Sequence, residues 1–269
     1  MQRLPAILST FALAPMLGHG ALVYDGFESY GAPTQLVTLN GGSGWSGAWA
    51  GNTSVNTSTQ QLDDPNAQID GGNRSALIAG TNDNALLSRS FTTPYTSTVY
   101  MSMLVRVENY SNDFIIFQLT DGATGDSTQA LSFGIRNTGS NNFFTRAGSS
   151  GSGQSTNSAT TASVATNYFL VGVFTQNAGQ FETVELYVNP TDPTLATETA
   201  NATASNGSPN MTQLSMFTIR TAVFEGDESV FFDEIRISDN LSEVFNIPEP
   251  SSLLLAGFGS LLLLRRRRD

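Results

Sequence analysis

The chain has 269 residues with no cysteine, no lysine and one histidine, His19, and its twelve arginines stand against 23 acidic residues for a net charge of −11. Without thiols there are no disulfides, Cys-ligated metals or cysteine nucleophiles. Without a lysine amine, or an imidazole beyond His19, there is no Schiff-base, Ser-His-Asp or His-zinc chemistry in the body of the chain.

The first segment, residues 1–20, reads as a secretory signal peptide. Arg3 precedes an apolar run from Leu4 to Leu17, small residues follow at Gly18 and Gly20, and cleavage is expected between Gly20 and Ala21. Pro5 and Pro15 interrupt any long helix there. With that leader removed His19 goes too, and any catalysis must rest on carboxylates, tyrosine or arginine. Setting aside Arg3, Arg265 to Arg268, Glu249 and Asp269 leaves seven arginines against 21 acids. Such a surface repels nucleic acid and anionic membranes. It suits plain solubility, and it also suits a calcium-rich exterior.

Residues 21–246 read as one all-β domain. Two-residue alternation recurs, and no stretch of helix length has a 3.6-residue period. From Val99 to Val107 the residues Val99, Met101, Met103, Val105 and Val107 share one face, which predicts a strand half-buried on that side. Strands are likewise predicted for Asp113 to Thr120, Ala130 to Arg136, Tyr168 to Thr175, Phe181 to Val188, Leu214 to Arg220 and Val230 to Ser238. Gly- and Asn-rich turns separate them, as in an antiparallel sandwich or jelly roll. The segment Gly148 to Thr166 is nearly all small and polar, and reads as a mobile loop or a loosely paired edge.

The last 23 residues, 247–269, carry three ordered elements: Pro248, Glu249 and Pro250, the apolar segment 251–264, and Arg265, Arg266, Arg267 and Arg268. As a helix the apolar segment reaches about 20 Å, short of a ~30 Å hydrocarbon core. The arginines stay cytoplasmic, which puts the domain ahead of Pro248 outside. This layout closely resembles the PEP-CTERM sorting signal. The resemblance implies recognition by an exosortase at the membrane, cleavage near the motif, and a Gram-negative cell that makes exopolysaccharide or biofilm matrix. The rival reading is an ordinary C-terminal anchor.

A second resemblance rests on Asp25-Gly-Phe27-Glu28-Ser-Tyr30, on the glycine-rich stretch from Leu39 to Trp49, and on Phe232-Asp233-Glu234-Ile235-Arg236-Ile237. These stretches are similar to bacterial laminin-G or concanavalin A-like jelly rolls, which implies first and last strands that are neighbours in space. By alternation Asp233 shares the expected core face of Phe231, Ile235 and Ile237. In several jelly-roll families the corresponding carboxylates of the first and last strands hold a structural calcium, which carried over points to Asp25, Glu28 and Asp233, supplemented by backbone carbonyls. The other reading has Asp233 accepting turn N–H groups or pairing with an arginine.

Trp45 and Trp49, the only tryptophans, stack on sugar rings if exposed or plug the end of the sandwich if buried. Glu225-Gly-Asp227-Glu228 departs from the Glu-x-Asp-x-x-Glu motif of laminarinase-like enzymes, with Val230 at the last place, and reads as a solvated hairpin loop. The resulting expectation is a non-enzymatic, surface-displayed domain that interacts with polysaccharide or serves as a matrix component. The alternatives are a carboxylate-dependent hydrolase or lyase, and a structural surface protein without glycan affinity.

Overall fold

Alternating segments rich in Val, Ile, Phe and Thr build the strands, because branched and aromatic side chains fit a pleated, half-buried surface. In the computed structural model the described residues are 22–51, 55–80, 86–109, 114–123, 129–137, 139–148, 154–206, 210–222, 224, 226 and 228–245. The expected signal helix and the sorting tail, with Pro248, Glu249, Pro250 and Arg265 to Arg268, lie outside them.

In chain order the strands are β1 (Val23–Asp25), β2 (Ala50–Gly51), β3 (Val55–Ser58), β4 (Ser75–Ala79), β5 (Leu86–Tyr95), β6 (Val99–Asn109), β7 (Phe114–Thr120) and β8 (Ala130–Asn137). They continue with β9 (Asn141–Ala147), β10 (Gln154–Thr161), β11 (Thr166–Asn177), β12 (Gln180–Val188), β13 (Ala202–Ser205), β14 (Leu214–Ala222) and β15 (Ser229–Ser238), and a short helix α1 (Leu241–Val244) follows. All seven predicted strands form. Two antiparallel sheets result, one ordered β13-β12-β11-β6-β15-β4-β3 with β1 also on β15, the other β10-β9-β8-β7-β14-β5-β2. The chain is a jelly-roll β-sandwich. Its first and last strands pair, Val23 opposite Ile237 and Asp25 opposite Ile235.

The main core lies between the sheets, with Met103, Val105, Phe117, Phe133, Phe174, Phe217 and Phe232 at its centre. A second apolar cluster covers the outer face of the eight-stranded sheet, where Leu62, Ile69, Val244 and Phe245 close over Leu104, Phe169 and Val171. Phe245 meets Phe169 edge to face at 5.4 Å, and the Ser102 hydroxyl donates to the Val244 carbonyl at 2.7 Å. Asn240 caps α1 by accepting from Ser242 N. The far side of β6 is therefore covered by loop and helix.

One open reading is decided here and one expectation changes. Gln154–Thr161, inside the polar segment, is an edge strand paired to β9 with mostly exposed side chains. A polar strand tolerates an edge, where only one side needs a partner. On β15 the alternation inverts: Val230, Phe232, Ile235 and Ile237 face the core, while Phe231 packs against the outer cluster. The cause is a bulge between Asp233 and Arg236, with Glu234 in the left-handed region at φ 52°.

Candidate functional site

The bulge separates the carboxylates expected to share a calcium. Asp25 lies opposite the core residue Ile235, and Asp233 opposite Leu104 of the outer cluster. Because partners across a ladder point to one side, the two carboxylates turn to opposite faces of the sheet.

Asp25 is fully buried and fully engaged. Its Oδ1 accepts from Phe27 N at 3.1 Å, and its Oδ2 accepts from the Tyr30 hydroxyl at 2.8 Å, Trp49 Nε1 at 3.0 Å and Arg89 Nη1 at 2.9 Å. Burial pushes this carboxyl up and the Arg89 guanidinium down, and each opposes the other's shift. Burial beside Asp25 also drives the Tyr30 hydroxyl up to about 12. A cation at Asp25 would meet a guanidinium already in place.

Glu28 is exposed and accepts from Asn73 N across the neighbouring loop. Asp233 is buried, and among the described residues it accepts only from its neighbour Glu234 N, at 2.7 Å, and leaves Oδ2 without a partner. Burial first, then the charge of Glu234, pushes its carboxyl up to about 10. Among the described residues no group of three or more His, Cys, Asp or Glu is arranged to hold a metal ion. Asp25, Glu28 and Asp233 do not fit calcium as a set, since Asp25 is spent on Arg89 and faces away from Asp233.

Trp45 and Trp49 plug the end of the sandwich. Trp45 is 9% exposed and Trp49 1%, their ring centroids are 5.4 Å apart, and Arg89 lies over both at 4.8 and 5.4 Å. Trp45 Nε1 donates to the Tyr24 carbonyl at 3.0 Å. Rings packed this way have no face for a sugar. Glu228 is no solvated hairpin residue either, being 1% exposed on a connection that crosses from one sheet to the other. Glu225 and Asp227 lie outside the described residues. A cleft of about 460 Å³ runs beside Asp63, Asp64, Gln68 and Asp70, but Asp64 is used within its own loop, accepting from the backbone N–H groups of Asn66, Gln68 and Ile69.

The most unusual surface is the outer face of the seven-stranded sheet, which sequence reasoning did not single out. Its strands carry four arginines and no Asp or Glu, in a chain with 23 acids. One cross-strand row reads Ser88, Thr218, Gln118, Ser132, Arg146 and Ser155. The next reads Leu86, Arg220, Ile116, Gly134, Phe144 and Asn157. Gly134 stands between Ile116 and Phe144 in this row, and a Cβ there would collide with the Ile115 carbonyl. Arg220 and Arg146 lean on Phe114, at 5.0 and 6.0 Å from its centroid, and Arg136 lies 4.6 Å over Phe144. The legible signal was the polar side of each alternation, with arginine at 136, 146 and 220 and no acid in any of these segments.

Residues 246–268 match the PEP-CTERM protein-sorting motif. No curated protein sequence matches the chain. Among solved structures the chain is similar to the T. cruzi calreticulin globular domain, with 14% identity and a TM-score of 0.50 over 81% of this chain and 95% of that one. It is similar to an endo-1,3-beta-glucanase from Streptomyces sioyaensis, with 12% identity and a TM-score of 0.49 over 85% and 99%. It is also similar to the carbohydrate recognition domain of Emp47p, with 10% identity and a TM-score of 0.45 over 77% and 93%. At such identities the likeness shows the fold alone, and these sandwiches are of lectin and glucanase type, not laminin-G specifically. The chain is an exported protein with a jelly-roll sandwich ahead of a C-terminal sorting tail.

Proposed function

We propose that the sandwich is a non-catalytic domain that binds extracellular polysaccharide, delivered outside the cell when an exosortase acts near Pro248-Glu249-Pro250. The observation that carries this reading is the outer face of the seven-stranded sheet, whose strands contain no Asp or Glu and whose edge strand β10 presents exposed polar side chains. The exposed hydroxyl of Ser155 and amide of Asn157, with the half-buried Arg136, Asn142 and Phe114 beside them, match what sugars offer, which is hydroxyl groups and apolar ring faces. A hydrolase would need two carboxylates about 5 to 10 Å apart, and no strand of this sheet supplies one.

The test is affinity gel electrophoresis with bacterial and algal polysaccharides, run alongside assays for new reducing ends and for unsaturated uronate products. Retardation without product is expected. Either product would replace this reading with a hydrolase or lyase. Mass spectrometry of the mature C-terminus tests the delivery step, and an intact run from Arg265 to Arg268 would leave a plain anchor instead.

A further inference from the structure

We infer that the β8–β9–β10 margin of the seven-stranded sheet is a subsite for the carboxylate of an acidic polysaccharide, with Arg136 as the recognising group. The inference rests on the proposed glycan-binding role and adds the class of sugar.

Arg136 stands on β8 and reaches across β9 to β10. Its Nε donates to Asn157 Oδ1 at 2.6 Å and its Nη1 to Ser155 Oγ at 3.3 Å, while the guanidinium carbon lies 4.6 Å from the centroid of the Phe144 ring. Both hydrogen-bond partners are neutral and exposed, and Arg136 has no carboxylate partner among the described residues. Its Nη2 edge donates to nothing in the protein among those residues. A long flexible side chain is thus held in place by two hydrogen bonds and a ring, with its charge uncompensated among the described residues, which lowers the ordering cost of a bidentate contact.

The surroundings favour an anion and a saccharide together. The chain's excess negative charge would repel a polyanion elsewhere, yet the strands of this sheet carry only positive side chains among their charged residues, Arg136, Arg146 and Arg220 on this face. Arg146 and Phe144 belong to the strand that Arg136 crosses, and Asn142 on the same strand stands opposite Arg136, half-buried. Guanidinium forks pair with planar carboxylates through two parallel N–H bonds. A polymer of uronic acids offers such a group on each sugar, next to hydroxyls that the exposed Ser155 and Asn157 can bind.

The probes are polyglucuronate, alginate and polygalacturonate, with laminarin as neutral control and dextran sulfate as sulfate control, titrated calorimetrically onto the mature domain. Binding to at least one polyuronate is expected, weakening with added salt. Arg136→Gln should weaken it at least about tenfold, the loss of one charge-assisted contact, and Arg136→Lys should restore only part, since an ammonium lacks the fork. Asn157→Ala, at an exposed position, tests the same geometry without touching the charge and should also weaken binding. Unchanged polyuronate affinity in both Arg136→Gln and Asn157→Ala would overturn the subsite, and full binding by Arg136→Lys would overturn the fork geometry. Stronger binding of dextran sulfate than of every polyuronate would overturn the carboxylate class. Binding to laminarin alone would reject this inference while keeping the glycan-binding role, and binding to no polysaccharide would reject both.

Discussion

Arg89 Nη1 lies 2.9 Å from Asp25 Oδ2, joining the two sheets through an ion pair whose side chains are each 1% exposed. The pair sits within the aromatic group of Trp45, Trp49, Tyr30 and Phe27. Two buried charges are tolerable only when hydrogen bonds satisfy both, and here Asn40 Oδ1 and the Gly47 carbonyl take the rest of the guanidinium.

Removing one partner strands the other. Arg89→Met should cost about 3–5 kcal/mol, read as a lower urea midpoint, whereas a double variant with Asp25→Leu as well should recover part of the loss. A single variant as stable as the wild type would mean the pair carries no structural weight.

Asp233 predicts a pH dependence. Its folded-state carboxyl is pushed up to about 10, far above the unfolded value near 4, so the native state binds the extra proton between those limits. Stability then falls as pH rises through that window, by at most about 1.4 kcal/mol per pH unit. Thermal melts from acidic to alkaline pH should show this decline, and Asp233→Asn should flatten it. A stability that instead rose with added calcium, and lost that rise in Asp233→Asn, would restore a cation to Asp233.

The tryptophans report their burial directly. Both should emit at short wavelength and resist quenching by iodide, and Trp49→Ala should cost about 3–5 kcal/mol through the cavity it leaves. Emission at the wavelength of free indole in water would contradict the packing of Trp45 and Trp49.

The outer cluster predicts where the tail can be cut. A chain ending at Phe245 should melt like one that retains residues 246–250, because Val244 and Phe245 keep their places on Phe169 and Leu104. Ending at Asn240 should lower the melting temperature, and Phe245→Ala should do likewise, at about 3–5 kcal/mol. Equal melting of all these forms would show that α1 adds nothing to the fold.

Much of the architecture was legible because it is local. Alternation in segments such as Val99 to Val107 is written residue by residue and marks seven strands, and the tail reads from the order of its three elements. Short strands such as β1 to β4 are too brief to show an alternation, and the polar β10 carries too few apolar residues.

The sequence by itself determined an all-β chain, free of thiol and lysine chemistry, with a sorting tail behind it. Only the tertiary structure decided what the singled-out residues do. One extra residue at Glu234 inverts the facing of β15, so Asp233 leaves the side that Asp25 occupies. Long-range pairing places Arg89 on Asp25 and shuts both tryptophans inside. Strand order likewise brings Arg136, Arg146 and Arg220, distant in sequence, onto one face. Facing along a strand is local and readable, but which strands become neighbours, and where a bulge resets the facing, depends on contacts between residues far apart in the chain.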